Sequence, residues 1–469
     1  MLESITYYYE YFIFYYASTM IFSYLFLGTI SIINLIRYKS YNSDKDDDVL
    51  MKSPLVPGIS VIAPAYNEEK TIIENVKSLL TLEYPLFEVI IVNDGSRDKT
   101  LDKLIDEFEL IEVDFLYLEK IKTKPFKRIL KSTNPKYSIL TVVDKENGGT
   151  KADASNAGIN ASVFPYFLCT DVDCVLSRQT LLKMIKPFLN TEGKVIAVGS
   201  TLRMLNGCEV ENGVITRVKP PKRLIPCFQE LEYIRGYLLS KMGWSFINSV
   251  PNVSGGLGLF DKEVVIKSGG YSGDSHAEDM DMTTKMACYM MDNNLKYRVV
   301  YIPVSCCWTE GPTTVKVLGR QRTRWGAGLA QIFKVHRKVL FNRKYKKLGL
   351  ITFPYIFIFE FLAPIIEAIG GLFFIYLAVM NKINWSMAYI IMLYSYTFAI
   401  FITTLVIIQD HIVFHHYKRT REVFRLVLMG FLEPLIYHPL IVFFAIKGYF
   451  NFYKGKELKW GTMTRTGVN

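Results

Sequence analysis

The sequence has few cysteines for its length, and their arrangement excludes a disulfide framework. Seven cysteines are scattered over 469 residues, their number is odd, and no C-x-x-C pair occurs. Secreted domains that rely on disulfides carry dense, paired cysteines, whereas cytosolic proteins keep their thiols reduced. We therefore expect the catalytic part of the chain to lie in the cytosol.

A cleavable signal peptide is also missing. Residues 1–10 are acidic and aromatic, and no small-residue cleavage site follows the first apolar run. Residues 11–36 carry no charge and are long enough to span a bilayer, which takes about 20 helical residues. Arg37 and Lys39 follow directly, which predicts that this end is cytosolic. We expect residues 1–40 to form an uncleaved transmembrane anchor.

Acidic residues are absent from residues 311–350, which contain eleven Lys or Arg mixed with apolar side chains. This pattern predicts amphipathic helices at the inner leaflet. Residues 351–450 are predicted to contain transmembrane helices in three apolar runs, about 353–379, 387–408 and 427–446, and residues 451–469 form a basic tail. Three spans after a cytosolic domain would place this tail outside, against the rule that positive segments stay inside. Either one segment is interfacial or re-entrant, for which Pro434, His438 and Pro439 make 427–446 the candidate, or the tail breaks the rule.

Between a polar linker, residues 41–58, and the basic stretch, short β-branched runs alternate with helical ones over residues 59–310. The runs are ISVIAP, FEVIIVND, YSILTVVD, YFLCTDVD and KVIAVGS. Such alternation predicts an α/β domain with a Rossmann-like, mostly parallel sheet, whose ligands bind at the carboxyl ends of the strands.

Two carboxylates, Asp171 and Asp173, follow the fourth of these runs. Side chains in this arrangement can share Mg²⁺ or Mn²⁺, which takes oxygen ligands and holds nucleotide diphosphates. An isolated D-x-D is more often a solvated loop. The apolar lead-in strand and a separate candidate nucleotide site upstream favour the metal.

That upstream candidate consists of PAYNEE and VNDGS, each at the end of a predicted strand. Asp94 is a candidate ligand of the nucleotide, Glu68 a candidate brace for it, and Asn67 a further contact or a helix cap. In KENGGTKADASNAG, Lys151 begins a predicted helix after a Gly pair, which favours a phosphate-bearing ligand. This stretch matches neither a Walker loop nor G-x-G-x-x-G.

Two further motifs carry candidate catalytic groups. Glu278 and Asp279, in AED, begin a predicted helix. An ionised carboxylate there is suited to removing a proton from an attacking hydroxyl, although acids in a first helical turn are also ordinary dipole partners. In RQRTRW, Arg322 and Arg324 suit a departing pyrophosphate, and Trp325 offers a stacking face for a sugar.

Taken together, VNDGS, DVD, AED and the Q-x-x-R-W of QRTRW resemble the processive family-2 glycosyltransferases of the GT-A fold. That family includes the cellulose, chitin and hyaluronan synthases. The flanking residues 232–271 look closest to the bacterial poly-β-1,6-N-acetylglucosamine synthases. The resemblance covers about residues 55–330 and the membrane architecture. Ala277 stands where the family usually has Thr.

The resemblance implies a role for each matching residue. Asp94 would contact the nucleotide, Asp171 and Asp173 would hold the diphosphate with Asp173 on the metal, and Asp279 would be the catalytic base. Three residues would close over the pyrophosphate and the acceptor end, namely Gln321, Arg324 and Trp325. The implied reaction is a single displacement that converts an α-linked UDP-sugar, UDP-GlcNAc in the closest group, into a β-glycoside.

Three functions remain open at this point. The first is a processive synthase of the cell membrane, with a cytoplasmic catalytic domain, that conducts its polysaccharide outward, with an accessory export subunit as a partner. The second adds one sugar to a membrane lipid, and the third is a catalytically silent subunit. No nucleic-acid partner is expected. If the chain is a processive synthase, polar residues of the spans would line a passage for the polymer or pair between helices: Glu360, Glu367, Tyr394, Tyr396 and His438.

Overall fold

The computed structural model of the chain describes residues 2–41, 44–211 and 213–456. Its strands are β1 (Ile59–Ala65), β2 (Phe87–Asp94), β3 (Leu110–Glu112), β4 (Phe126–Ser132), β5 (Leu140–Lys145), β6 (Tyr166–Thr170), β7 (Val175–Leu176), β8 (Lys194–Met204), β9 (Glu209–Glu211), β10 (Val214–Arg217), β11 (Leu257–Asp261) and β12 (Tyr297–Thr309). All five strands expected from the sequence are among them.

Ten of these strands form one sheet in the order β3-β4-β5-β2-β1-β6-β11-β8-β12-β7. The neighbours β5, β2, β1 and β6 are parallel, as are β8 and β12, so the predicted mostly parallel sheet is confirmed. Because parallel strands end at one edge, Asp94 at the end of β2 and Asp171 after β6 reach the same side of the domain.

The helices are α1 (Leu2–Tyr41), α2 (Asp44–Lys52), α3 (Ile72–Leu80), α4 (Thr100–Phe108), α5 (Lys151–Ala161), α6 (Thr180–Asn190), α7 (Leu224–Arg235), α8 (Met242–Phe246), α9 (Lys262–Lys267), α10 (Glu278–Asp292), α11 (Val315–Val335), α12 (Phe353–Ile356), α13 (Ala363–Val379), α14 (Trp385–Phe414), α15 (Thr420–Leu432) and α16 (His438–Tyr453). Helix α2 lies within the expected linker and docks on α6, where Asp47 pairs with Lys183 and Lys186.

Among the described residues, four helical segments are long and apolar enough to cross a membrane. They are Thr6–Ser40, Leu348–Val379, Trp385–Phe414 and Thr420–Tyr453. The first three agree with the runs expected from the sequence. The fourth is interrupted by a π-helical turn, Glu433–Tyr437, which contains Pro434. Proline removes a backbone donor, so a helix bends or widens there.

Both arms of this fourth segment stay on the catalytic domain. At the start of α15, Glu422 pairs with Arg217 at 2.9 Å. Near the end of α16, the Lys334 ammonium of α11 lies 5.5 Å from the centroid of the Phe452 ring. Glycines allow α16 and α11 to touch: a Cβ on Gly448 would lie 2.3 Å from the carbonyl oxygen of Thr323. Residues 457–469 of the expected basic tail lie outside the described residues.

Candidate active site

A cavity of about 2590 Å³ opens at the carboxyl ends of the parallel strands. All twelve catalytic and ligand-binding residues predicted from the sequence line it: Asn67, Glu68, Asp94, Lys151, Asp171, Asp173, Glu278, Asp279, Gln321, Arg322, Arg324 and Trp325. These residues are far apart in the sequence. The fold therefore brings the four motifs to one place.

Asp94 ties the end of β2 to the loop after β5. Its Oδ1 accepts hydrogen bonds from Lys145 Nζ at 2.8 Å and from the Gly148 amide at 2.9 Å. Gly95 has a φ of +62°, and a Cβ there would lie 2.8 Å from the Asn147 amide nitrogen. Only glycine adopts this left-handed conformation without a steric cost. The close approach of the two loops therefore requires Gly95.

The other two residues of the upstream candidate hold the turn beside Asp94. Asn67 has a φ of +56°, and its Oδ1 accepts a hydrogen bond from the Arg97 amide at 2.8 Å. Glu68 accepts a hydrogen bond from the Thr71 hydroxyl at 3.2 Å. Both side chains thus have structural partners and still line the cavity, which is compatible with a second role in contacting a ligand.

Asp171 and Asp173 converge with Cys174, and one ligand atom from each lies within 4.8 Å of the others. Lys151, the first residue of α5, forms an ion pair with Asp171 and donates to the Gly255 carbonyl oxygen at 2.6 Å. Burial is the largest single influence and lowers the pKa of Lys151, but Asp171 and the neighbouring acidic groups together raise it by more, so the pKa lies above its usual value. A permanent cation therefore stands beside the acidic pair.

Asp279 is held by three hydrogen bonds at the start of α10. Its Oδ2 accepts from Asn252 Nδ2 at 3.0 Å and from the Gly255 amide at 3.2 Å, and its Oδ1 accepts from the Met280 amide at 2.8 Å. These contacts fix the orientation of the carboxylate within the cavity.

The neighbouring carboxyl, Glu278, meets different surroundings. Burial and the charge of Asp279 raise the pKa of Glu278, while Arg324 and Lys151 act against them. Its nearest cationic group is Arg324, 3.8 Å away. Neighbouring carboxyls whose environments differ in this way are suited to different roles.

Helix α11 forms the opposite wall. Arg324 donates to the His276 carbonyl oxygen at 3.1 Å, and Trp325 is 37% exposed within the cavity. Arg322 is buried, and its guanidinium makes two hydrogen bonds with Glu232, at 2.7 and 2.6 Å. Arg322 thus lines the cavity with its charge already paired, and its predicted contact with a donor remains a prediction.

From Asp279 the cavity continues towards the apolar helices. Its lining there includes Tyr24, Lys241, Trp244, Glu360 and Pro364. Of the five polar residues expected to line a passage or pair between helices, Glu360 lines this cavity. The other four make contacts between helices. Glu367 bonds with His438 at 2.7 Å, Tyr396 donates to the Phe431 carbonyl oxygen, and the Tyr394 ring stacks on Phe14.

Sequence reasoning missed several residues of this site. Lys145, Glu232 and Asn252 hold Asp94, Arg322 and Asp279 in place. Lys145 begins KENGGTKADASNAG and the other two lie within residues 232–271, but none was predicted as a site residue. Lys145 had a signal, because it directly follows a predicted strand, at the edge of the sheet where ligands are expected. Glu232 and Asn252 had none, because their partners lie in other parts of the chain.

Family models match most of this framework. Residues 60–120 and 122–219 match the model described as glycosyl transferase family 2, and residues 230–402 match that of glycosyl transferase family group 2. The chain belongs to the family-2 glycosyltransferases. The twelve cavity residues fall within the two matched regions, so the cavity is the candidate active site of a glycosyltransferase.

Curated relatives of this glycosyltransferase include polysaccharide synthases. The poly-β-1,6-N-acetyl-D-glucosamine synthase of Staphylococcus epidermidis is 30% identical over 310 residues, which are 66% of this chain and 62% of that protein. The synthase of the same name from Staphylococcus aureus strain COL is 26% identical over 322 residues, 68% and 64% of the two chains. The chain thus spans about six-tenths of the length of these relatives.

Among solved structures, the mannosyltransferase PcManGT from Pyrobaculum calidifontis, in complex with GDP-Man and Mn²⁺, has a similar fold. Its TM-score is 0.50 at 19% identity, over 92% of this chain and 100% of that one. At this identity the similarity speaks for the fold alone. The catalytic domain of this family-2 glycosyltransferase has the GT-A fold.

Proposed function

We propose that this glycosyltransferase uses a UDP-sugar to extend a β-linked polysaccharide and moves the polymer across the membrane. One observation carries the proposal: a single cavity contains the acidic pair, Asp279 and Trp325, and continues between Tyr24 and Glu360 on two apolar helices. The similarity to the staphylococcal synthases favours UDP-N-acetylglucosamine as the donor.

In the proposed reaction an acceptor hydroxyl attacks C1 of the donor sugar from the face opposite the diphosphate. The new C1–O bond forms as the bond between C1 and the diphosphate oxygen breaks, and UDP leaves with the electron pair. Asp279 accepts the hydroxyl proton. Lys151 and Arg324 stabilise the negative charge that develops on the diphosphate. One displacement inverts the anomeric centre from α to β.

The acidic pair fits a divalent cation. Asp171 and Asp173 offer the oxygen ligands that Mg²⁺ and Mn²⁺ prefer, whereas the sulfur of Cys174 suits softer metals. We therefore assign the two carboxylates as ligands. A bound cation would neutralise charge on the leaving diphosphate. Lys151, which pairs with Asp171, would then share the diphosphate with the metal.

The helix contacts also favour a specific membrane topology. Because both arms of the α15–α16 segment remain on the catalytic domain, we propose that it enters the membrane and returns to the same face as a re-entrant hairpin. The chain would then cross the membrane three times, with α1, α13 and α14. The catalytic domain and the basic tail would both be cytoplasmic, as the distribution of positive charge requires.

Cysteine labelling tests this topology. Single variants Lys454→Cys, Asn381→Cys and Leu118→Cys would be treated with an impermeant maleimide in sealed vesicles of known orientation, with the parent protein as background. We expect Lys454→Cys to be labelled from the same side as Leu118→Cys, in the catalytic domain, and Asn381→Cys from the opposite side. Labelling of Lys454→Cys together with Asn381→Cys would instead establish a fourth crossing.

The activity is tested by incubating the purified protein in lipid nanodiscs with Mg²⁺ or Mn²⁺ and a panel of UDP-sugars, and by sizing the product. We expect a ladder or smear of β-linked polymer from UDP-N-acetylglucosamine. A single lipid-linked sugar would support the alternative of one transfer to a membrane lipid. No UDP release from any donor would contradict both.

A further inference from the structure

The indole of Trp325 rests on a buried cation. The Arg322 guanidinium lies 4.2 Å from the centroid of the Trp325 ring, and the Arg322 side chain is only 5% exposed. Cations attract aromatic faces, and more strongly where water is excluded. One side of the indole is therefore held by Arg322, while the residue remains exposed to the cavity.

Arg322 is itself fixed by a bidentate ion pair. Its two terminal nitrogens donate to the two carboxylate oxygens of Glu232, on α7, at 2.7 and 2.6 Å. The fork of a guanidinium matches a carboxylate in this geometry, which sets the plane of the cation as well as its position. The plane of Arg322 therefore fixes where the ring of Trp325 can lie.

A tyrosine of the α15–α16 segment completes the arrangement. The Tyr437 hydroxyl donates to Glu232 Oε2 at 2.7 Å and accepts from Arg322 Nη2 at 2.9 Å. Tyr437 is 2% exposed and is the last residue of the π-helical turn that separates α15 from α16. The turn of the membrane-associated segment thus touches the support of an active-site aromatic ring.

We infer that Arg322 is a positioning residue, which together with Glu232 and Tyr437 sets the orientation of Trp325 against the acceptor end of the polymer. This inference rests on the proposed function, since it takes Trp325 to stack on an acceptor sugar. It gives Arg322 a different role from the donor contact expected from the sequence, because the guanidinium is already engaged by Glu232. It also links the geometry of the acceptor site to the α15–α16 turn.

Kinetics separate this role from a purely structural one. Tyr437→Phe removes two hydrogen bonds and keeps the ring, and with a β-1,6-linked N-acetylglucosamine oligosaccharide as primer we expect the KM of the primer to rise about fivefold. The KM of UDP-N-acetylglucosamine should stay unchanged. The matched control is Tyr396→Phe, which removes one hydrogen bond that α14 donates to the Phe431 carbonyl oxygen of the same α15–α16 segment, and should change neither constant.

A double variant tests whether Tyr437 acts through Trp325. If it does, adding Tyr437→Phe to Trp325→Ala should change the KM of the primer no further, because the two effects share one pathway. Full additivity of the two substitutions, or an equal rise in both KM values for Tyr437→Phe alone, would overturn the inference.

A readout that does not need activity distinguishes this inference from the proposed function. The protein has five tryptophans, and labelling with 5-fluorotryptophan gives fluorine resonances, of which that of Trp325 is assigned by its loss in Trp325→Phe. Tyr437→Phe should shift the Trp325 resonance and leave the resonances of the other four tryptophans in place. An unmoved Trp325 resonance would refute the positioning role. Failure of the parent to transfer any sugar would refute the proposed function. The fluorine measurement would still decide whether Tyr437 helps to orient Trp325.

Discussion

Two lysines line the same cavity in opposite surroundings. Lys151 pairs with Asp171 and donates to the Gly255 carbonyl oxygen, and its pKa is raised because Asp171 and the neighbouring acidic groups together outweigh burial. The Lys241 ammonium lies 4.8 Å from the centroid of the Tyr237 ring and 5.3 Å from that of Tyr301. Burial lowers the pKa of Lys241 to about 8, although Asp279 acts in the opposite direction.

This contrast divides the cavity into two ends of different chemistry. The Lys151 end has carboxylates, cations and backbone donors, which suit a diphosphate and a metal. The Lys241 end is lined by aromatic rings, Tyr237 and Trp244, which suit the faces of sugar rings. In the proposed function, the donor lies at the first end and the acceptor at the second, with Asp279 between them.

The largest expected effect is at Asp279. Asp279→Asn keeps the shape of the side chain but cannot accept the hydroxyl proton, so turnover should fall by about 10²–10⁴-fold. UDP release from UDP-N-acetylglucosamine would be measured under saturating donor. The matched variant Glu278→Gln, next to it, should lose much less turnover, because Asp279 is the proposed base and because burial and the charge of Asp279 both disfavour a charge on Glu278. Equal losses in the two variants would remove the distinction between the two carboxyls.

A smaller effect is expected at the donor end. Asp173→Asn should raise the Mn²⁺ concentration for half-maximal activity by at least about tenfold, since it weakens a proposed ligand of the metal. Cys174→Ala removes the neighbouring thiol and should leave the Mn²⁺ dependence unchanged. If both variants shift the Mn²⁺ titration alike, or neither does, the two carboxylates are not the ligands.

The two ends also differ in how far the sequence predicts them. Asp94, Asp171 and Lys151 lie where a buried strand ends or a helix begins, and these positions follow from periodicity and from the topology of parallel sheets. The sheet, its five central strands and the convergence of the donor motifs could therefore be predicted before the structure was known.

The acceptor end depends on contacts that no local pattern reveals. Glu232 meets Tyr437 across 205 residues, and Arg235 meets Glu433 across 198. The antiparallel strand β11 and the turn that breaks the fourth apolar segment also follow from tertiary packing. From the sequence, Pro434 and the basic tail made that segment doubtful as a span, but only its contacts with α7 and α11 favour a hairpin.

An intermediate effect on stability should distinguish the membrane-facing end from the protein surface. Glu433 pairs with Arg235 at 2.6 Å, with side chains 7% and 24% exposed. Glu433→Gln leaves a largely buried arginine without its counter-charge, so the free energy of unfolding should fall by about 3 kcal/mol. The control is Glu107→Gln, which breaks a pair with Lys77 whose side chains are both 40% exposed, and should have almost no effect. Denaturant titration in detergent micelles measures both, and similar losses would contradict the contrast.

The smallest effect concerns Lys241 and its dependence on pH. A lysine whose pKa is lowered in the folded state binds fewer protons there than when unfolded, so its contribution to stability is present at high pH and is lost as pH falls through about 8. In Lys241→Met this position has no titrating group, so it adds no pH dependence to stability. The melting temperature of the parent should therefore rise relative to that of Lys241→Met between pH 7 and pH 9. Lys120→Met, at an exposed lysine, should show no such trend. A constant difference for Lys241→Met would mean that this ammonium is solvated rather than enclosed by aromatic rings, and that the two ends of the cavity are alike.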